Sequence, residues 1–252
     1  MKIYRYLDQG RAAVGVQVGD RIQRYTGTTA FDLGVADEGH SVPLSEAVLL
    51  PPAAPGKIVA VGRNYADHAK ELGNDAPPEP IIFLKPPSAL LPPGGTIIRP
   101  AASQRVDYEG ELVIVIGRKA KNVNAADWRE YVRGFTCAND VTARDLQKKD
   151  VQFTRGKSFD TFCPIGPCID TGVDPADLTI TTRLNGVVKQ QASTKLMIFP
   201  VSALLAFVSG IMTLDPGDII LTGTPAGVGP MDAGDSVEVE IEGIGVLKNS
   251  VR

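Results

Sequence analysis

Val106-Asp107-Tyr108-Glu109-Gly110-Glu111-Leu112-Val113-Ile114-Val115-Ile116-Gly117 is the stretch whose reading decides the fold. Its β-branched and apolar residues, closed by Gly117, predict one strand that is buried beyond its head. Side chains alternate along a strand, so Glu109 and Glu111 project from the same face. Two such anions repel, and burial requires a bound cation or a held proton to offset the repulsion. Oxygen ligands with no histidine or cysteine beside them favour magnesium, manganese or calcium over zinc. A solvated face carrying two glutamates is the other reading, and the stretch alone leaves both open.

Around that strand the chain has 252 residues, enough for one substantial core or a core plus a small appended domain. Apolar residues at 43%, charged residues at 22% and a net charge of -3 are ordinary for a soluble globular protein. The absence of a Lys/Arg-rich stripe argues against a nucleic-acid partner. No window reaches the roughly 18 apolar residues of a membrane span, and Met1 to Tyr6 lacks the apolar core of a signal peptide, so no membrane partner is expected. Cys137, Cys163 and Cys168 form no C-x-x-C and have no histidine at zinc spacing, which reads as reduced thiols in a cytoplasmic protein. The 26 glycines and 19 prolines suit many short strands joined by turns.

Upstream, residues 1–50 read as a small antiparallel β domain, with Gly19-Asp20 as a turn. Leu44 to Leu50 has helical possibilities, and His40 falls in a polar loop without an assigned role. Pro51 to Gly56 is a stiff linker, giving a second domain over 51–252. Lys57 to Gly62 is a buried strand that delivers a short helix over Arg63 to Gly73, with Asn64 or Asp67 near its start and Gly73 as its stop. His68 and Glu71 are neighbours on one face of that helix, a base with its orienting carboxylate or a surface pair. Asn74 to Pro80 is polar and proline-rich, so the helix is a candidate lid. Ile81 to Pro86 is a strand ending in Lys85, and Gly94 to Pro100 opens another.

Downstream, Ala125 to Tyr131 predicts a brief helix docked by Trp128. A strand through Ala138 runs into Asn139-Asp140, and Thr142 or Asp140 caps a helix bearing Arg144 and Gln147 on one face. Asp140 offers a third carboxylate, and the fork of Arg144 suits a substrate carboxylate or, more blandly, a helix surface. Lys157 is the cation of a Gly- and Pro-rich segment over 156–167. Asn185-Gly186 predicts a hairpin turn, Phe199 to Ser209 an amphipathic helix stopped by Gly210, and Ile219 to Thr222 a buried strand. Gly223 to Gly229 lacks both the P-loop ending and the Rossmann spacing, and reads as a shaped turn whose Thr224 contacts substrate.

Taken together, G-R-N-Y-x-x-H-x-x-E, F-L-K-P, D-Y-E-x-E-L, N-D-V-T-A-R-D-x-Q, G-K-S-F-D-x-F-x-P-I-G-P and L-x-P-G-D-I-I-L-T-G-T-P-x-G-V-G resemble the fumarylacetoacetate hydrolase superfamily, in order over about residues 56–250. The resemblance implies a mainly β, α+β fold, a mixed β-sandwich roll with few short helices, usually as a homodimer. It implies Glu109, Glu111 and Asp140 as ligands of Mg2+ or Mn2+, and His68, Glu71 and Lys157 as catalytic residues. Arg63, Tyr65, Lys85, Arg144, Gln147 and Thr224 would line the site of a small 2-oxo acid. The implied reaction is hydrolysis of a C-C bond in an acylpyruvate to pyruvate and a carboxylic acid, with His68 activating water. Decarboxylation of oxaloacetate, or isomerisation of 2-hydroxyhepta-2,4-diene-1,7-dioate, is the alternative that the same site supports.

Overall fold

In the computed structural model, which describes residues 1–252, the deciding stretch is two strands, Val106–Tyr108 and Gly110–Ile116, rather than the single strand expected. The break falls at Glu109. Val106–Tyr108 pairs with Thr142–Ala143 and Gly229–Pro230 in a three-stranded sheet, while Gly110–Ile116 lies between Val132–Asn139 and Ile219–Leu221 in a twelve-stranded one. The local cause is close approach: a Cβ on Gly110 would lie 2.1 Å from Thr182 Oγ1. Side chains replace the interrupted ladder, with Glu109 N–H donating to Asn139 Oδ1 at 2.8 Å and Gly110 N–H to Gln190 Oε1 at 3.0 Å.

Beyond the break, side chains alternate between two cores. Leu112, Ile114 and Ile116 join a cluster with Phe135, Ile180, Val239 and Leu205, whereas Val113 and Val115 join one with Ile58, Ala60, Ile165 and Ile219. Both faces are covered, which is why the run is apolar at every position. The large sheet runs in the order Ala36–Pro43, Arg21–Tyr25, Arg11–Val18, Lys2–Asp8, Cys163–Asp170, Val132–Asn139, Gly110–Ile116, Ile219–Leu221, Ile58–Gly62, Ile81–Lys85. A five-stranded sheet, Val187–Ser193, Thr179–Leu184, Ser236–Ile241, Gly245–Val251 and Thr96–Ile97, packs beside it through the first cluster. The fold is mainly β with a few short helices, as the motifs imply. Residues 1–50 contribute strands to the same large sheet, since Lys2 and Ile3 pair with Asp170 and Ile169.

Several local expectations are corrected. Leu44 to Leu50 holds the strand Val48–Leu49 on the edge of Lys2–Asp8, because so short a segment gains more from strand pairing than from an isolated helical turn. His40 lies in the strand Ala36–Pro43 and not in a loop; it is exposed and faces Asp37 at 3.2 Å. The Gly94 to Pro100 strand contracts to Thr96–Ile97. Asn64 does not cap the helix Ala66–Glu71, which starts at Tyr65 without a side-chain cap, although Gly73 follows it at φ +72 as a stop. Neither Thr142 nor Asp140 caps Arg144–Lys149, since Thr142 donates to the Asp140 carbonyl and the Asp140 carboxylate is taken by lysines. The amphipathic helix is Val201–Ile211, burying Val201, Leu204, Leu205 and Val208, and Gly210 lies inside its last turn while Met212 ends it. The Asn185-Gly186 turn forms as expected, with φ of +53 and +79 joining Thr179–Leu184 to Val187–Ser193.

Candidate active site

The break at Glu109 places its carboxylate beside those of Glu111 and Asp140. One oxygen from each lies within 4.8 Å of the others, and all three residues are buried. Asp140 follows the end of Val132–Asn139, opposite Glu109, and its N–H donates to the Glu109 carbonyl at 2.8 Å.

Cations surround two of the three carboxylates. Lys157, at the end of the four-residue helix Thr154–Lys157, donates to Glu109 Oε2 at 2.8 Å and to Asp140 Oδ2 at 2.6 Å. Lys85 reaches Asp140 Oδ1 at 2.6 Å. Arg144 donates from Nε to Asp107 Oδ2 at 2.9 Å, from Nη1 to Gln147 Oε1 at 2.7 Å, and from Nη2 to Glu109 Oε1. Asp107 is fully buried and is held on its other side by Arg105. Glu111 makes no ion pair, and the Gly223 N–H at 2.7 Å is its donor.

The electrostatics follow that division. Burial alone would raise the Glu109 carboxyl, but Lys157 and then Arg144 overcome it and hold Glu109 well below the usual carboxylate range. Burial, followed by the charges of Asp140 and Glu109, pushes Glu111 well above that range. Burial opposes the Lys157 ammonium, and Asp140 and Glu109 outweigh it, leaving Lys157 above the ordinary lysine value. The residues fit a hard divalent cation: three converging carboxylates, an all-oxygen donor set, and a buried glutamate with no cation of its own.

His68 stands across the same cavity. His68 is buried on the helix Ala66–Glu71, with Nδ1 3.2 Å from Glu71 Oε2. Glu71 in turn accepts the Gly227 N–H at 3.1 and 3.2 Å on its two oxygens. A carboxylate at Nδ1 favours the tautomer protonated there, which leaves the Nε2 lone pair free. The strand-to-helix turn that leads to His68 is locked by Asn64, whose side chain donates to the Phe199 and Thr222 carbonyls and accepts the Phe199 N–H.

A cavity of about 280 Å³ joins these groups. Of the residues expected from sequence, Arg63, His68, Glu71, Glu109, Glu111, Asp140, Arg144, Gln147, Lys157 and Thr224 line it. Two expected residues do not. Lys85 lies behind Asp140, fully buried, and holds that carboxylate instead of facing the cavity. Tyr65 lines a separate surface pocket with Pro225 and Ala226; its hydroxyl is buried without a partner, and burial and then Glu111 raise its pKa. Residues not singled out from sequence also matter: Lys148, Phe83 and Phe153 line the cavity, Asp107 anchors Arg144, and Gln190 fixes Gly110 and Thr224. Two signals were available, since Asp107 is one strand repeat before Glu109 and Lys148 is one helical turn after Arg144.

Comparison with known proteins agrees with this geometry. The family model for the fumarylacetoacetate (FAA) hydrolase C-terminal domain matches residues 57–252, and a model described as Rv2993c-like, N-terminal, matches residues 1–52. The mitochondrial oxaloacetate tautomerase FAHD2A of Bos taurus is 47% identical over 223 residues, covering 83% of this chain and 71% of its own. The crystal structure of 5-carboxymethyl-2-hydroxymuconate delta-isomerase from Mycobacterium smegmatis is 43% identical with a TM-score of 0.92, covering 100% of this chain and 99% of that one. Maleylpyruvate hydrolase from Sphingobium sp. SYK-6, solved in complex with manganese (II) ion and pyruvate, is 32% identical with a TM-score of 0.83, covering 100% and 98%. These relatives are enzymes. With the whole stretch from Lys57 to Arg252 matched, and the three carboxylates and His68 meeting in one cavity, the chain belongs to the fumarylacetoacetate hydrolase family.

Proposed function

We propose that this chain is an Mg2+- or Mn2+-dependent enzyme that moves a proton next to the oxo group of a small 2-oxo acid, as a tautomerase or isomerase. The observation that carries the reading is the chain from Gly227 N–H through Glu71 to His68, which presents a free Nε2 to the cavity that holds the three carboxylates. A metal bound by Glu109, Glu111 and Asp140 supplies a Lewis acid for the negative charge that develops on the 2-oxo group. His68 Nε2 takes a proton from the carbon beside that group and returns it at oxygen or at a conjugated carbon, while Glu71 steadies the imidazolium. Lys157 and Arg144 keep Glu109 charged and in place throughout.

Hydrolysis of an acylpyruvate is the second reading, in which His68 removes a proton from water that then attacks the distal carbonyl. The motifs alone favour it. It is placed second because the relatives at 47% and 43% identity are named for proton shifts, whereas those named for hydrolysis stand at 41% and 32%. The test follows enol absorbance of oxaloacetate and of acetylpyruvate in parallel, with Mg2+ or Mn2+, in wild type and His68→Ala. Faster ketonisation of oxaloacetate that falls by about 10²–10⁴-fold in His68→Ala supports the first reading. Release of pyruvate from acetylpyruvate without ketonisation activity overturns it in favour of the second.

The protein is further proposed to act as a homodimer in the cytoplasm. Light scattering that returns the 26.8 kDa of a single chain would overturn the dimer, and recovery in a membrane or exported fraction would overturn the location.

A further inference from the structure

The carboxylate cluster and the His68–Glu71 pair are held by segments far apart in the chain. Glu109 and Glu111 flank Gly110, where the deciding stretch breaks, and the turn from Gly223 to Gly229 holds Glu71 through the Gly227 N–H. The two segments touch directly, since the Gly223 N–H donates to Glu111 and Thr224 Oγ1 donates to the Gly110 carbonyl at 2.9 Å. A side chain from a third element, Gln190, binds both segments and lines no part of the cavity.

Gln190 is out of character for its strand. Val187–Ser193 is an edge strand, and Gln190 is its one buried residue. The ladder with Thr179–Leu184 slips beside it: Thr182 faces Gln190 and Arg183 faces Val188, which leaves Lys189 as an extra residue. Such a bulge bends a strand and re-aims its side chains. Here it presses the Lys189 carbonyl against the turn, where a Cβ on Gly227 would lie 2.2 Å from that oxygen, and it sends the Gln190 side chain inward. The Gln190 amide oxygen accepts the Gly110 N–H at 3.0 Å, and its nitrogen donates to Thr224 Oγ1 and to the Pro225 carbonyl, both at 2.8 Å. With Thr224 Oγ1 donating to the Gly110 carbonyl, these bonds close a ring through Gly110, Gln190 and Thr224. The ring admits one orientation of the amide, because a flipped amide would set its NH2 against the Gly110 N–H and its oxygen against the Pro225 carbonyl.

We infer that Gln190 is a positioning residue that holds Glu109, Glu111 and the anchor of Glu71 in one register, so that one buried amide governs both metal affinity and the state of His68. The inference rests on reading the three carboxylates as a metal site and His68 as the base. Gly110 lies between two of the carboxylates, so rotation of its peptide swings Glu109 and Glu111 apart. Displacement of Gly227 takes from Glu71 its backbone donor, and a carboxylate that is no longer fixed at Nδ1 no longer sets the tautomer of the imidazole.

Two readouts test this without substrate. Calorimetry gives Mn2+ affinity, and the nitrogen NMR shifts of the imidazole give the tautomer of His68, with His40→Gln identifying the other histidine of the chain. Gln190→Met keeps the length of the side chain and removes its polar atoms. It should weaken Mn2+ binding by at least about tenfold, the scale on which a ligand loses its support, and should turn His68 from one tautomer, protonated at Nδ1, into a mixture. A residue that only stabilises the fold would lower Tm and leave both readouts in place. That result would overturn the inference, as would a change in one readout without the other. If Gln190→Met does not fold, Thr224→Val opens the same ring and Thr224→Ser closes it again; the first should change both readouts and the second restore both, and a wild-type value of either in Thr224→Val overturns the inference. Wild-type protein that binds no Mn2+ removes the metal reading and the inference with it, whereas Mn2+ binding without turnover of any 2-oxo acid defeats the proposed function alone.

Discussion

Two walls of the site sit side by side and differ in kind. On one, Asp107, Glu109 and Asp140 face Arg144, Lys157 and Lys85, three carboxylates against three cations within hydrogen-bonding distance. On the other, Glu111 has the Gly223 N–H and no cation, with the uncharged Tyr65 and Thr224 nearby. The first wall is electrically closed and stands on its own. The second leaves one negative charge uncompensated, which a proton neutralises and a divalent cation reverses to a single positive charge suited to an anionic substrate. Charge pairing therefore builds the site, and its omission at one glutamate leaves the charge that a metal on these carboxylates would offset.

The largest test of that contrast sets the two glutamates against each other in metal-stripped protein. Glu109→Gln takes from Arg144 and Lys157 one of the two buried carboxylates that each holds, leaving Asp107 and Asp140, and should cost about 3–5 kcal/mol in urea unfolding. Glu111→Gln should change stability by less than about 1 kcal/mol, since no cation is left without its partner and the glutamine oxygen still accepts the Gly223 N–H. Equal losses would break the comparison.

A smaller effect is expected at Asp107. Asp107→Asn removes a charged acceptor from Arg144 and should destabilise by about 1.5–3 kcal/mol. Because Arg144 also holds Glu109, Mn2+ affinity measured by calorimetry should fall in parallel, and an unchanged affinity would separate the closed wall from the metal.

Next comes the reverse dissociation of the two properties at Glu111. Glu111→Gln should weaken Mn2+ binding by at least about tenfold while leaving the unfolding curve of metal-free protein in place, on the scale at which a single ligand's support is lost.

The pH response tests the same glutamate without a substitution. The folded Glu111 value lies above its unfolded value, so between the two the native state binds the extra proton. Metal-free protein should therefore lose stability as pH rises from the ordinary carboxylate range through the folded value, with a slope approaching about 1.4 kcal/mol per pH unit. Glu111→Gln should flatten that slope, and added Mn2+ should release a proton, detected as a dependence of binding heat on buffer ionisation. A stability that rises over the same window would contradict the assignment of the proton to Glu111.

Much of the molecule was legible before its structure. Leu112 to Ile116 reads as a buried strand because it is apolar at every position, Asn185-Gly186 as a turn because both residues accept positive φ, and Val201 to Val208 as a helix because its apolar residues recur with helical spacing. His68 and Glu71 were legible as a pair because one helical turn separates them. The caps failed because each side chain had another partner. Asn64, Asp140 and Thr142 have the right side chains for a helix start, but other partners took those side chains first, distant in sequence for Asn64 and Asp140 and the Asp140 carbonyl two residues back for Thr142.

The sequence by itself determined the buried strands Leu112 to Ile116 and Ile219–Leu221, the Asn185-Gly186 turn and the residue types that can hold a metal and a base, since each depends on spacing within a few residues. It also carried the family, through six motifs in fixed order. Only the tertiary structure decided that the acidic stretch breaks at Glu109, that Lys85 turns away from the cavity to hold Asp140, that Lys157 bridges Glu109 and Asp140, and that Glu111 is left without a cation. Those outcomes join residues up to 112 positions apart, as in Gly223 to Glu111. Local spacing says which side chains share a face. Which charge meets which is fixed only when the sheets close.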